Sequence, residues 1–236
     1  MRVVATKNNL TKSIVVDLGI AIVTGHYTGR EFPTEKELCE QYNASRTVLR
    51  EAVKMLTAKG LLSARPRQGT RVEPEDNWNL IDPDVLRWLL ERKFSLDFLI
   101  EFTEIRLAVE PAAAALAARN ASLQEREAIS AAFARMRAAE RGEDDTLNAD
   151  IAFHVSILNA SGNRFFRQFR DMIETALRIS ILKTNNLMGI EKSETQDHAR
   201  IADAIVSGDP QLAERRMRDL IEYLLRLLRE ARAAEA

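Results

Sequence analysis

Apolar residues recur every three or four positions along most of the chain, which is the spacing that predicts amphipathic helices. The first such stretch covers residues 10–25, where Ile14, Leu18 and Ile22 share one face and Gly25 ends the pattern. The pattern predicts a helix with one buried face.

Residues 32–62 predict two short helices joined by a tight polar turn. Thr34 can cap the first helix, and Glu37, three residues later, can complete a capping box. Ser45 can cap the second helix, which ends at Gly60. The expected buried face of this second helix consists of Val48, Leu49, Ala52, Val53 and Leu56.

The exposed face of the second helix is basic, with Arg46 and Arg50 four positions apart from its first turn onward. Two short extended runs follow around a turn that holds Pro66 and Gly69, and arginines flank that turn. A basic hairpin directly after such a helix pair is typical of a winged helix-turn-helix that binds DNA. The alternative is an ordinary helical hairpin with a solvated charged face.

Beyond residue 84 strand patterns disappear, and short connections separate amphipathic helices, which indicates an antiparallel bundle. We therefore expect a mainly α fold with a winged helix-turn-helix at residues 1–75, a linker and connecting helix at 76–95, and a helical domain at 96–236. The helices are predicted at residues 84–92, 96–118, 122–141, 145–161, 164–186, 191–207 and 209–233.

Charge is distributed unevenly along the 236 residues. Residues 1–75 hold 12 Lys and Arg against 8 Asp and Glu, whereas the whole chain has a net charge of −1. A basic head on an acidic body points to a nucleic-acid partner for the head. The sequence has no apolar run long enough to span a membrane, its first residues lack a signal-peptide pattern, and Cys39 is its one cysteine, so we expect a cytoplasmic protein.

One polar residue interrupts the apolar face of the helix predicted at 96–118. Arg106 occupies an inward position, where a guanidinium is costly unless a partner compensates it. Either Glu110, one turn later, pairs with it, or Arg106 binds an anion inside the bundle. The residues alone leave both interpretations open.

Asp150 and His154 lie at i and i+4 on an inward helix face, and His198 lies on the inward face of a later helix. A carboxylate and an imidazole at this spacing can reach one metal ion. An inward histidine is also common as an ordinary core residue. The three residues together favour a polar site inside the bundle.

Several motifs resemble the GntR family of bacterial transcription regulators, in its FadR-type branch with an all-helical FCD domain. The block "FPTEKELCEQYNASRTVLREAVKMLTAKGLL" and the wing "RPRQGTRV" resemble the winged helix-turn-helix of that family, and "ADIAFHVSILNASGN" and "DHARIADAIVSGDPQLAERRM" resemble segments of the FCD domain. The linker "WNLIDPDVLRWLLE" is similar to that of regulators of sugar-acid catabolism. The resemblance places DNA contacts at Lys36, Arg46, Thr47, Arg50, Arg67 and Gly69.

The resemblance also implies a metal site of one aspartate and three histidines, of which Asp150, His154 and His198 match the first three. The fourth position is Leu220 here. Either the three residues hold a zinc or nickel ion that has open coordination positions, or they hold no metal and hydrogen-bond the hydroxyls of a sugar acid directly. Arg106 matches the arginine that contacts the effector carboxylate in the family.

These observations predict a homodimeric repressor that binds a palindromic operator in double-stranded DNA and is released by a small carboxylate, expected to be a sugar acid. Two alternatives belong to other classes. The bundle could be a metal-dependent hydrolase fused to a DNA-binding head, or it could serve dimerisation only. A long-chain acyl ligand fits less well, because its cavity needs no inward Asp150, His154 and His198.

Overall fold

The computed structural model describes residues 7–65, 69–91, 95–188 and 194–235 of the chain. The protein is mainly helical and divides into two compact units, Met1–Lys93 and Phe94–Ala236. The elements are α1 (Lys7–Val23), α2 (Glu35–Gln41), α3 (Arg46–Ala58), β1 (Leu62–Arg65), β2 (Gly69–Val72), α4 (Pro83–Glu91), α5 (Leu96–Asn120), α6 (Leu123–Glu140), α7 (Thr146–Ala160), α8 (Arg164–Gln168), α9 (Arg170–Met188), α10 (Glu194–Val206) and α11 (Pro210–Ala234).

The first unit contains the predicted helix pair, with α1 and α2 both packed on α3. The predicted caps are confirmed, because Thr34 and Glu37 form a capping box on α2 and the Ser45 side chain accepts from the N–H of Val48. Asn43 adopts a φ of 47°, a left-handed conformation that asparagine tolerates and that tightens the turn between the helices. Of the expected buried face of α3, only Val53 is half-buried rather than buried.

The predicted wing is an antiparallel pair of strands, β1 and β2. Leu62 faces Val72 in the register and Arg65 faces Gly69. Residues 66–68, which include Arg67, connect the two strands and lie outside the residues that the structure describes.

Most of the segment that the sequence predicts as a linker, residues 76–95, lies in the first unit. Helix α4 packs on α1, where a Cβ on Gly19 would lie 2.3 Å from the ring of Trp88. The ammonium of Lys59 donates to Asp82 at 2.8 Å and to Asp84 at 3.0 Å, which ties the end of α3 to the start of α4. Close packing and charge pairing together fix α4 on the winged unit.

The second unit is a set of helices in which α5 packs along α11, and α7 packs on α5, α6 and α9. Its α10 packs on α5, α6 and α11, so α5, α7 and α10 enclose a common interior. The single helix predicted at residues 164–186 is wrong, because Phe169 separates α8 from α9. Across the described part of the chain, none of the helices combines the length and apolarity needed to cross a membrane.

Candidate functional site

The exposed surface of the winged unit carries the side chains expected to contact DNA. Arg46, Thr47 and Arg50 all lie on the solvent side of α3, opposite the buried Leu49. Lys36 on α2 is 81% exposed and lies 3.9 Å from Glu40. The capped start of α3 therefore presents two guanidinium groups to solvent.

A carboxylate on α2 contacts both arginines of α3, which the sequence analysis missed. Glu35 accepts from Arg50 Nε at 2.8 Å and from Arg50 Nη2 at 3.2 Å, and its Oε1 lies 3.8 Å from Arg46 Nε. The hydrogen bond from Arg50 holds the pKa of Glu35 below its usual value. Glu35 and Arg50 are 15 positions apart, which places this contact beyond the range of a helical pattern.

Gly69 begins β2 with a φ of 77°, a conformation that favours glycine, and among the residues that the structure describes a Cβ there would meet no neighbour within 4 Å. Glycine is thus favoured at position 69 by the backbone conformation rather than by packing. An unobstructed backbone at this end of the wing is suited to approach a nucleic-acid surface.

Three predicted ligands converge inside the second unit. Asp150 and His154 lie one turn apart on α7 and His198 lies on α10; they are 9%, 2% and 2% exposed. His198 Nε2 lies 3.2 Å from Asp150 Oδ1 and 3.3 Å from His154 Nε2, and the latter lies 3.8 Å from the same carboxylate oxygen. Among the described residues, these three form a group whose ligand atoms could hold one metal ion.

Helix α5 contributes Arg106 and Glu110 to the same interior, and both are buried. Arg106 Nε donates to Glu110 Oε1 at 2.6 Å, so the pairing considered in the sequence analysis is present. Glu110 also contacts His154, with Oε2 lying 2.5 Å from Nδ1. Arg106 Nη2 lies 3.4 Å from His154 Nε2, which places the guanidinium at the edge of the cluster.

The contact with Glu110 determines which nitrogen of His154 is available. An ionised carboxylate only accepts hydrogen bonds, so the proton of a neutral His154 lies on Nδ1 and points to Glu110. Nε2 then carries a lone pair directed toward Asp150 and His198. Metal-binding histidines commonly have this arrangement, in which a second carboxylate orients the ring.

The spacing of the three ligand atoms fits a divalent ion. Tetrahedral ligands at typical zinc distances lie about 3.3 Å from one another. The three observed separations, from 3.2 to 3.8 Å, bracket that value. The set of one oxygen and two imidazole nitrogens suits zinc or nickel.

Both carboxylates in this interior are ionised at neutral pH. Burial alone would raise the pKa of each, but nearby positive charge outweighs it, from Arg106 and His154 at Glu110 and from the two histidines at Asp150. The pKa of each falls to about 2. Glu110 and Asp150 therefore each keep a negative charge at neutral pH.

Leu220, the position at which a fourth histidine is expected, lies on α11 and is 8% exposed. Its side chain has no atom that ligates a metal. Helix α11 packs on α10, which carries His198. A metal held by Asp150, His154 and His198 would therefore lack a fourth ligand from this position.

Two family profiles match the chain. Residues 10–72 match the bacterial regulatory proteins of the gntR family, and residues 101–223 match the FCD domain. The chain is a member of the gntR family of bacterial regulatory proteins. The resemblance seen in the motifs is confirmed, as is the fold class of a winged helix-turn-helix with an FCD-like helical domain.

Members of the gntR family with similar sequences are transcription regulators. The galactonate operon transcriptional repressor of Escherichia coli K12 is 34% identical over 226 residues, covering 94% of this chain and 98% of that protein. The regulator YieP of the same organism is 31% identical over 214 residues, covering 89% and 91%. This gntR-family chain is therefore a DNA-binding transcription regulator rather than the hydrolase considered above.

Solved structures of gntR regulators share the fold. A GntR protein of Streptococcus agalactiae has a TM-score of 0.51 and 23% identity, covering 92% of this chain and 99% of that chain. The structure described as Lar, which controls the agr system of Listeria monocytogenes, has a TM-score of 0.58 and 20% identity, covering 93% and 96%. At this identity the likeness supports the architecture alone.

Proposed function

We propose that the chain is a homodimeric, cytoplasmic repressor of an operon for sugar-acid catabolism. Residues 1–75 bind DNA, 76–95 connect the domains, and 96–236 bind the effector and dimerise. The relative named as a galactonate operon repressor supports the sugar-acid assignment. The buried charged cluster of the helical unit supports an effector site.

Each winged unit reads one half of a palindromic operator, since the two-fold symmetry of a dimer requires two matching half-sites. The start of α3 enters the major groove, where Arg46 and Arg50 contact bases or phosphates and Thr47 adds a hydroxyl. Lys36, Arg67 and Gly69 contact the sugar-phosphate backbone of the DNA.

The effector binds beside the five polar residues Arg106, Glu110, Asp150, His154 and His198. The observation that carries this proposal is their burial within hydrogen-bonding distance of one another. With neutral histidines, the two carboxylates and one guanidinium leave one net negative charge. A divalent cation changes this to one net positive charge, which a small carboxylate neutralises.

Asp150, His154 and His198 hold that cation, either zinc or nickel. When bound, the ion supplies a positive centre with open positions for oxygen atoms of the effector. Leu220 leaves room for this, because it supplies no fourth ligand. Arg106 pairs with the effector carboxylate.

Binding of the effector releases the operator. This requires that the effector bind more tightly to the arrangement of the dimer that does not fit DNA. Equal affinity for the two arrangements produces no release, however tight the binding.

A thermal-shift screen tests this proposal. The full chain is heated with a panel of sugar acids and other small carboxylates, with added zinc or nickel and after chelation. We expect an acid that raises the melting temperature only with metal, and we expect Asp150→Asn to abolish the rise. Asp203→Asn, an exposed change on α10, is the matched control and keeps the rise.

The other outcomes separate the alternatives. A rise that is indifferent to chelation makes the three residues hydrogen-bonding partners of the effector and removes the metal from the proposal. The absence of a rise with every acid and metal contradicts the effector site and favours a bundle that serves dimerisation only.

A further inference from the structure

One carboxylate lies between the two arginines at the start of α3. Glu35 receives both the Nε and Nη2 hydrogens of Arg50, one on each carboxylate oxygen, at 2.8 and 3.2 Å. Arg46 Nε is 3.8 Å from the same carboxylate. A side chain of α2 thereby fixes the direction of a guanidinium on α3.

The contact is not needed to hold the two helices together. The side chains of Arg50 and Glu35 are 66% and 38% exposed, and ion pairs this open to water stabilise a fold little. Capping of both helices and burial of Leu38 and Leu49 already secure the pair. The ion pair between Glu35 and Arg50 is therefore available for a role in DNA binding rather than in folding.

We propose that Glu35 is a positioning residue that confers sequence specificity on DNA binding. Glu35 holds the guanidinium of Arg50 in one orientation before DNA binds. This inference rests on the proposed function, in which α3 enters the major groove. An arginine that is already ordered loses less rotamer freedom when it forms a bidentate contact with a base.

The carboxylate also acts against incorrect sequences. Held on the DNA-facing surface, its negative charge repels phosphates and so lowers affinity for every duplex alike. Only a DNA sequence that forms the full set of contacts with Arg50 offsets this loss of affinity. Specificity commonly combines an attractive contact with a repulsive one in this way.

Glu35→Gln therefore has opposite effects on two kinds of DNA. Removal of the charge strengthens binding to random-sequence duplex, and loss of the fixed guanidinium weakens binding to operator. We expect the ratio of the two affinities to fall by about 5- to 100-fold, the range for one lost bidentate base contact.

The test uses the full wild-type chain to select a duplex from a random-sequence library. Fluorescence anisotropy then gives the dissociation constants for that duplex and for random-sequence duplex of the same length, over about 50 to 200 mM salt. Melting temperatures of all variants are measured alongside, because Glu35 also lies in the first turn of α2.

Glu51→Gln is the matched control, since it removes one charge from α3 itself. Glu51 is 60% exposed and its neighbour is Lys54, at 3.8 Å. We expect this control to strengthen binding to both duplexes about equally and to keep the ratio. Glu35→Asp, which keeps the charge on a shorter side chain, is expected to recover part of the ratio.

Arg50→Ala supplies the second comparison. In that background Glu35→Gln is expected to leave the ratio nearly unchanged, because the guanidinium that it orients is gone. If Glu35→Gln matches Glu51→Gln in the wild-type background, or lowers the ratio equally without Arg50, the positioning role is overturned. If the wild-type chain enriches no duplex at all, the proposed function fails and the role of Glu35 fails with it.

Discussion

At the scale of single residues, the partner of each ring nitrogen determines what a buried histidine can do. In His154 one nitrogen faces Glu110 at 2.5 Å, and the other faces Asp150 and His198. Glu110 in turn pairs with Arg106. A chain of contacts from α5 thus orients the ring of His154 on α7.

Glu110→Gln tests this orientation. The neutral amide no longer favours the Nδ1–H tautomer, so we expect zinc affinity to fall about 10- to 100-fold. Competition with a chromophoric chelator measures it on folded protein. Glu104→Gln is the control, because Glu104 is exposed and accepts a hydrogen bond from Arg229 at the surface.

The same substitution removes the charge of Glu110 from its buried ion pair with Arg106, which is expected to lower stability by about 3–5 kcal/mol. Glu110→Asp keeps the charge, and zinc affinity is measured on this variant if Glu110→Gln does not fold. Wild-type zinc affinity in both folded variants would contradict the orienting role.

Leu220→His restores the fourth histidine of the family pattern. We expect a lower melting temperature without metal, because a buried imidazole replaces an apolar side chain. With zinc we expect at least about tenfold tighter binding and a larger rise in melting temperature, since a fourth protein ligand closes the site. Equilibrium metal titration and thermal melts measure both effects.

Glu222→His, on the exposed face of the same helix, is the control for an added histidine. It is expected to change neither the zinc affinity nor the melting temperature. Identical behaviour of the two histidine variants would show that position 220 does not face the metal site.

The sequence predicts the inward residues better than it predicts their contacts. Helical periodicity alone places Arg106, His154 and His198 on buried faces. Which atoms meet depends on how α5, α7 and α10 pack. His154 and His198 are 44 positions apart, and the sequence between them carries no pattern that predicts their contact. The contact of Glu110 with His154 was missed for the same reason.

At the scale of elements, the capped helix pair is the part that sequence specifies most completely. Thr34, Glu37 and Ser45 mark the helix starts by local hydrogen bonds, which depend on few distant residues. The sequence has no glycine or proline at the break between α8 and α9. For that reason the pattern predicts one helix where the structure has two. The docking of α4 likewise depends on distant contacts with Gly19 and Lys59.

Gly19→Ala tests the packing of α4 on α1. Alanine ordinarily stabilises a helix by about 1 kcal/mol relative to glycine. Here its Cβ would lie 2.3 Å from the Trp88 ring, so we expect the first unit to lose about 1–3 kcal/mol of stability instead. Urea unfolding followed by tryptophan fluorescence measures this, because both tryptophans, Trp78 and Trp88, lie in the first unit.

The matched background is Trp88→Leu, which removes the ring that the new methyl group meets. There Gly19→Ala is expected to be neutral or stabilising. A similar loss in both backgrounds would place the cause of the destabilisation elsewhere on α1.

At the scale of the whole molecule, charged residues are arranged differently in the two units. The excess of Lys and Arg lies in the first 75 residues, where the winged unit presents arginines to solvent. The second unit instead buries three charged side chains, Arg106, Glu110 and Asp150. Burial of a charge is expensive unless the group is paired or binds a ligand. One unit is therefore suited to bind a polyanion and the other to bind a small charged molecule.

Linkage between the two units is the central claim of this account. It is tested by measuring the dissociation constant of the selected operator duplex without effector and with saturating amounts of the acid that gives the largest thermal shift. We predict that the acid weakens operator binding about 5- to 150-fold, and that operator weakens acid binding by the same factor, because coupling between sites is reciprocal. An acid that binds equally tightly with and without operator contradicts the account.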